Sequence, residues 1–452
     1  MIPGPVSIPA IGTPTPAIYP CPLAMHARDK HVVLVTHSYP PSAQVSARRP
    51  RGFAKYLSRL GYEVTVLTSS AFGRSKGVRE EDGVRVAASG DLITSRLNWR
   101  RGNIESIDSG SGDYDARRSP ATMIVPPDPF LLTWVPYANR AARHLASTQP
   151  ADCVITTSPP DSTHLVARHF RRRGAGWIAD VRDGWMFQPN RGWPLRLQER
   201  LDARMERRVM LGADAITTVT EPISEDIRRR YGADVITINN GYDPDDFEAS
   251  GKGAGAPLNP DRHSLVYTGR FAYGARDPGP LIAAMRRLGR GSPELLDRIE
   301  VVLAGPLAVQ ERAAIDSAGL GEALRHVGSL PRAEALALQR AADTLLLVMG
   351  AAHTGAASAK LYEYLAAERP ILVIGSGTEA ARIVAETGAG SSVEADDPTA
   401  IAESLGAIAR GKQPAFDLNR LRESRERYAY PRLAERLSEL VERVLEERAA
   451  QT

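Results

Sequence analysis

His31-Val-Val-Leu-Val-Thr36, then Phe53, Leu57 and Leu60 ahead of Gly61, then Glu63-Val-Thr-Val-Leu-Thr68, is the stretch that decides the fold. Its two flanking runs are short, continuous and rich in β-branched residues, the pattern of strands buried on both faces. Between them apolar residues recur three and four apart, as on one face of a helix, and Gly61 supplies the stop. Tyr39-Pro-Pro41 marks a turn after the first run. Strand, helix, strand with short links is a βαβ unit, whose crossover makes the two strands parallel.

Working outward, the same alternation recurs at Asp152–Thr157, Gly176–Val181, Asp214–Val219 and Asp234–Ile238, and again at Ser264–Thr268, Ile299–Ala304, Thr344–Val348 and Ile371–Ile374. Between the two sets lies Asp243 to Asp261, with Pro244-Asp-Asp-Phe and Gly251-Lys-Gly-Ala-Gly-Ala-Pro257, which reads as a linker. The expected organisation is α/β with two Rossmann-like domains. Residues 1–28 read as a disordered Pro-rich leader, or as translation upstream of a start at Met25. Residues 29–243 form the first domain, with a long insertion near 71–120 that holds at most a hairpin around Val84-Arg-Val86. Residues 244–262 are the linker, 263–427 the second domain and 428–452 a C-terminal helix. That helix, Pro431 to Ala449, carries Leu433, Leu437, Leu440, Val441, Val444 and Leu445 on one stripe, and packs back onto the first domain.

Composition excludes several classes. With 452 residues, 43% hydrophobic, 24% charged and 2 Cys, the chain is neither wholly disordered nor disulfide-stapled. A net charge of +4 over this length nominates neither nucleic acid nor membrane. Cys21 and Cys153 form no framework, and Cys153 falls in an apolar run where a buried thiol fits; a reducing cytoplasm is expected. No apolar run reaches the length of a membrane span.

In open α/β sheets ligands bind beyond the carboxyl ends of the strands. The first strand is followed by Thr36-His-Ser-Tyr-Pro-Pro41, not by a Gly-x-Gly-x-x-Gly turn, and no Gly-x-x-x-x-Gly-Lys-Ser/Thr loop occurs. The second domain's first strand ends in Thr268-Gly-Arg-Phe-Ala-Tyr-Gly-Ala-Arg276. Gly269 admits a ligand close to the backbone, and Arg270 and Arg276 offer two guanidinium forks to a diphosphate, or are surface arginines in an Arg-rich chain. Gly355-Ala-Ala-Ser-Ala-Lys-Leu-Tyr-Glu-Tyr364 runs a small-residue loop into a helix, with Ser358 at its N-cap position and Lys360, Leu361 and Glu363 following. Amides at a helix start bind anions, Lys360 fits beside one, and Glu363 can accept from neighbouring ribose hydroxyls; the bland alternative is a capped helix with a solvated Glu. Asp243-Pro-Asp245 is a weak metal motif, and no metal is expected.

Together with Asn240-Gly-Tyr-Asp243, Gly328-Ser-Leu-Pro331, Arg48/Arg49, Thr157-Ser-Pro-Pro160 with His164, and Asp180-Val-Arg-Asp-Gly-Trp185, this ordering resembles the retaining GT-B glycosyltransferases of glycosyltransferase family 4. The resemblance runs from about His31 to the last helix. It implies two domains facing each other across a cleft. It also implies a nucleoside-diphosphate sugar as donor substrate, with no further cofactor, and transfer of the sugar to an acceptor hydroxyl with retention. Arg270 matches the family's phosphate-binding Arg, and Arg276 stands where Lys is more usual. Glu363 matches the second Glu of Glu-x7-Glu, and Gly355 replaces the first, which leaves the sugar open.

The candidate catalytic residues are Arg270, Arg276, Glu363 and Asp183; Gly269, Gly328, Ser358, Lys360 and Leu361 complete the donor set. His37, His164, Arg182 and Trp185 are candidates for the acceptor side, with Arg182 where relatives often carry His. The expected partners are a nucleotide sugar and an acceptor glycan, glycolipid or small molecule. Arg171–Arg173, Arg204–Arg208 and Arg228–Arg230 are either a solvated face or a peripheral contact with an anionic membrane, and Pro126–Trp134 is either an acceptor or membrane contact or core. Two further readings of the chain are a catalytically silent binding or scaffold subunit, motivated by Gly355, and a nucleotide-sugar epimerase.

Overall fold

Alternation of faces along the strands builds the molecule. In the computed structural model, which describes residues 30–42, 44–73, 76–91, 125–187, 193–251, 257–271, 277–350, 355 and 357–451, strand β1 (His31–Val35) is buried along its whole length. Val33 and Val35 pack with Trp134 and Ala138 on one face, while Val32 and Leu34 pack with Phe53 and Leu57 on the other. Both faces are apolar because both are covered by helices.

The first sheet has eight strands in the order β3-β4-β2-β1-β5-β6-β7-β8. They are β2 (Glu63–Ser69), β3 (Gly77–Glu81), β4 (Val84–Ser89), β5 (Cys153–Ser158), β6 (Gly176–Val181), β7 (Ala215–Thr218) and β8 (Val235–Thr237) beside β1. Every pairing is parallel except the β3–β4 hairpin at one edge. The second sheet has the order β11-β10-β9-β12-β13-β14, all parallel: β9 (His263–Thr268), β10 (Ile299–Ala304), β11 (Leu324–His326), β12 (Thr344–Val348), β13 (Ile371–Ile374) and β14 (Gly390–Val393). The edge strands β11 and β14 carry no apolar run and were not expected from the sequence.

Helix α1 (Val45–Arg59) is the crossover of the first βαβ unit and ends before Gly61, whose φ of +101° only a glycine adopts easily. The last helix, α6 (Tyr430–Gln451), lies against α1 and the first sheet. Its Leu433, Leu437, Leu440, Val441 and Val444 join Phe53 and Leu57 in one core, so the end of the chain completes the first domain. Gly52 permits the close approach, since a Cβ there would stand 2.6 Å from the Tyr430 ring.

The stretch expected as a linker contains a short helix, α3 (Pro244–Ala249), with Phe247 buried in the second domain's core. The chain crosses between domains twice, side by side: the Tyr242 amide donates to the Tyr428 carbonyl at 3.1 Å, and the Tyr430 amide donates to the Tyr242 carbonyl at 2.9 Å. Cys153 is fully buried, and that burial pushes its thiol pKa up. The leader, including Met25 and Cys21, and most of the 71–120 insertion lie outside the described residues. Among the described residues no helix is long and apolar enough to cross a membrane.

Candidate active site

At the carboxyl edge of the second sheet, β9 and β10 both stop at glycine. Gly269 has φ +113° and Gly305 φ +141°, and a Cβ on Gly305 would collide with the Gly269 carbonyl oxygen. The Gly269 amide donates to Ala304 at 2.7 Å and the Gly305 amide to Gly328 at 2.7 Å, so three strand ends present bare backbone as one ridge. Gly305 was missed in the sequence, although it follows a buried strand directly. Arg270 is half-buried on this ridge, its carbonyl accepting the Tyr267 hydroxyl, and Arg276 lies outside the described residues.

Helix α5 (Ala359–Ala367) starts beside the ridge. Ser358 is its N-cap in extended conformation, but its side chain makes no cap hydrogen bond. Lys360 reaches back over Gly269: its Nζ stands 2.8 Å from where a Gly269 Cβ would be and 3.8 Å from the centroid of the Tyr267 ring, a cation–π contact. Leu361 is fully buried and anchors the helix.

Glu363 is buried at 5% exposure. Its carboxylate accepts from Arg48 of α1, from Arg332 Nη1 at 2.8 Å and from Gln339 Nε2 at 3.4 Å. Burial disfavours its charge, but Arg48 and Arg332 outweigh that and hold the carboxyl below its usual range. Arg332 Nε also donates to Asp246 at 2.9 Å, which Arg51 meets at 3.1 Å. Arg332 and Gln339 escaped the sequence reading; both lie on α4 (Arg332–Ala341), the helix that follows Gly328-Ser-Leu-Pro331, the only signal that could have found them. Asp243 and Asp245, the weak metal motif, are engaged instead by Lys55, Tyr56 and Arg59.

On the facing side, the carboxyl ends of β5, β6 and β7 gather around a buried ion pair. Asp180 takes both prongs of Arg49, at 3.0 and 2.8 Å, and the Thr157 and Thr217 hydroxyls at 2.6 and 2.8 Å. Arg182 is 7% exposed and donates to the Ser158 carbonyl and, at 2.9 Å, to the Ser46 carbonyl. Asp183, next in sequence, is half-buried. His164 Nδ1 is hydrogen-bonded to Thr156 Oγ1, 2.8 Å away, and the ring lies flat against Trp185 with ring centroids 6.0 Å apart. Burial, reinforced by Arg182 and opposed by Asp180, lowers its pKa to about 4, so the ring is neutral.

Trp185 belongs to the core and not to a cleft wall: it is fully buried, and its indole N–H donates to Asp202 at 2.8 Å. His37 stands apart from these groups. It is buried among Phe72, Phe130 and Trp134, with Nε2 2.9 Å from Asp91. Trp134 is core, whereas Leu132 of the same segment is 64% exposed.

The two sides touch. The Thr220 hydroxyl donates to the Gly355 carbonyl at 2.7 Å, and a Cβ on Gly355 would stand 2.7 Å from Phe187 Cε1 and 3.3 Å from Pro222. Gly355 therefore lies against the first domain, with Phe187 occupying the room a side chain would need.

Of the basic clusters, Arg228–Arg230 is spent on Glu221, Asp226 and Glu206. Arg204 and Arg208 remain exposed on α2 (Arg196–Met210), in one stripe with exposed Leu197, Leu201 and Leu211. Among the described residues no three His, Cys, Asp or Glu side chains group closely enough to hold a metal ion.

Residues 44–241 match the family model described as a glycosyl transferase 4-like domain. Among solved structures, a sucrose-phosphate synthase from Thermosynechococcus elongatus is 18% identical with a TM-score of 0.65, over 92% of this chain and 100% of that one. An α,α-trehalose-phosphate synthase (UDP-forming) from Burkholderia xenovorans, in complex with glucose-6-phosphate, is 13% identical with a TM-score of 0.62, over 92% and 99%. An E. coli structure described as trehalose-6-phosphate bound with UDP-2-fluoro glucose is 12% identical with a TM-score of 0.60, over 91% and 99%. No curated protein sequence matches the chain. At these identities the structural likeness shows the fold, which is GT-B. The match to a glycosyl transferase 4-like domain thus covers residues 44–241, and the chain around it has the GT-B fold.

Proposed function

We propose that the protein transfers a sugar from a nucleoside-diphosphate sugar to an acceptor hydroxyl, with retention at the anomeric carbon. The acceptor is lipid-linked, a polysaccharide or a small natural product. The observation that carries this reading is the juxtaposition of the glycine ridge, Arg270, Lys360 and the buried carboxylate of Glu363 at one sheet edge. Backbone without side chains lets a diphosphate lie close, Arg270 and Arg276 pair with it, and the start of α5 adds its positive end. Glu363 takes the ribose hydroxyls by exchanging part of its arginine bonding. Negative charge grows on the leaving diphosphate as the glycosidic bond breaks, and these positive groups stabilise it without a metal.

In this reading the first domain supplies the acceptor side, near Arg182 and Asp183, and the domains close over both substrates. Gly355, where the resembled family carries a Glu beside the donor sugar, motivates a silent scaffold as the second reading; Phe187 fills the room that side chain would take. A nucleoside diphosphate is expected to raise the melting temperature of the wild type and not of Glu363→Ala. An equal rise in the variant contradicts the assignment of Glu363. Any donor turnover that Arg276→Ala abolishes excludes the scaffold.

The exposed Leu197, Leu201 and Leu211 beside Arg204 and Arg208 support peripheral attachment to an anionic membrane face as part of the same reading.

A further inference from the structure

Among the described residues most buried polar atoms of the first domain are paired, and four of the exceptions lie on adjoining segments. Ser158 Oγ, Thr163 Oγ1, His164 Nε2 and Arg182 Nη2 are buried there without a hydrogen-bond partner. All four belong to the carboxyl end of β5, the turn that follows it and the residue after β6. Arg182 binds the Ser158 carbonyl directly, and His164 lies within electrostatic reach of both Arg182 and Asp180. Orphaned buried groups are rare and costly, so a cluster of them at the ligand-binding edge of a parallel sheet marks a place where a ligand completes the bonding.

The chemistry of the four atoms is one-sided. Trp177 Nε1 donates to Thr156 Oγ1 at 2.9 Å, so the Thr156 hydroxyl turns its own proton to His164 Nδ1. In a neutral ring the remaining proton then sits on Nε2, which becomes a donor. Arg182 Nη2 is a donor by nature, and the two hydroxyls can donate. Arg182 also differs from its neighbour Arg49. Arg49 is matched by Asp180, whereas the hydrogen bonds of Arg182 go to two backbone carbonyls, with the charges of Asp180 and Asp183 nearby. Its Nη2 still gains from a hydrogen-bonding anion, because the charges nearby leave that N–H without an acceptor.

We infer that this cluster is a subsite for an oxyanionic group, phosphoryl or carboxylate, carried by the acceptor. The inference rests on the glycosyl-transfer reading and narrows it: the acceptor is an anionic sugar or sugar ester. The oxyanion accepts from Arg182 Nη2, His164 Nε2 and the Ser158 and Thr163 hydroxyls, and its fixed position sets which acceptor hydroxyl meets the donor. Gly355 lies across the neighbouring ends of the first sheet, so the acceptor enters when the domains separate.

The test is calorimetric titration of the full chain, at fixed ionic strength, with inorganic phosphate, glucose 6-phosphate, glucuronate and glucose. Glucose 6-phosphate or glucuronate is expected to bind at least 10-fold tighter than glucose, and the arm that does so identifies the group. Binding of that arm falls at least 10-fold in Arg182→Gln and several-fold in Ser158→Ala, which removes one hydroxyl and leaves the core packing intact. It is unchanged in Arg270→Ala. Equal binding of glucose and the anionic sugars overturns the inference. So does loss in Arg270→Ala with retention in Ser158→Ala, which places the anion in the donor cradle. Nucleoside-diphosphate binding, titrated separately, is retained in both first-domain variants; its absence from the wild type contradicts the transfer reading and not this one.

Discussion

At the scale of single residues, His164 and Glu363 show opposite uses of burial. Burial keeps His164 neutral, whereas Glu363 stays ionised because Arg48 and Arg332 outweigh the same penalty. His164 gives a pH signature. Its folded pKa of about 4 lies below the ordinary value of 6.5, so between these values the unfolded chain binds more protons and stability falls as pH falls. From pH 7 to 5 the wild type is expected to lose about 2 kcal/mol more stability than His164→Gln, measured by urea unfolding. Equal losses contradict a neutral His164. Gly355→Ala is expected to cost about 1–3 kcal/mol by crowding Phe187, with the cost largely relieved in the Gly355→Ala/Phe187→Ala double variant. Some of this was legible beforehand and some was not. Arg270, Lys360 and Glu363 stand in motifs, so the sequence brought them to attention. The arginines that hold Glu363 come from α1 and from a helix 31 residues upstream of it, and no local pattern reports such a meeting.

Among elements, the buried strands were readable because a run such as Ile299-Glu-Val-Val-Leu-Ala304 is apolar on both faces. β11 and β14 were not, since an edge strand pairs on one side only and Leu324-Arg-His326 carries no such run. Helix α3 was hidden by its Pro and Asp content, which in fact marks its start: Asp243 caps it, accepting from the Asp245 amide at 3.1 Å. Asp243 also takes the Tyr56 hydroxyl and Lys55 Nζ, both at 2.7 Å. Asp243→Ala is therefore expected to destabilise by about 1–3 kcal/mol, read as a lower urea midpoint. A change near zero contradicts its role as the joint between α1 and α3. For α6, Leu437→Ala is expected to cost about 2–5 kcal/mol, because the residue sits in the shared core with Phe53 and Leu57. On α2, Leu197→Glu together with Leu201→Glu is expected to abolish cosedimentation with anionic phosphatidylserine vesicles; equal sedimentation by the variant contradicts attachment through that stripe.

For the whole molecule, the paired chain crossings at Tyr242 and Tyr428–Tyr430 form the one joint at which backbone strands of the two domains bond to each other among the described residues. Away from that joint side chains also bridge the domains: Arg48 donates to Glu363, Arg51 to Asp246, and the Thr220 hydroxyl to the Gly355 carbonyl. Two facing parallel sheets were readable from strand repeats and motif order, but how closely the domains approach was not, since it depends on contacts between residues far apart in sequence. Donor-dependent glycosyl transfer at the edge bearing Gly269, Arg270 and Glu363 is checked by turnover of a panel of nucleoside-diphosphate sugars by the purified chain, wild type against Arg270→Ala. Release of nucleoside diphosphate from at least one donor is expected, with a loss of about 100-fold or more in Arg270→Ala. Turnover that is indifferent to Arg270, or no turnover and no binding with any donor of the panel, contradicts transfer at that edge.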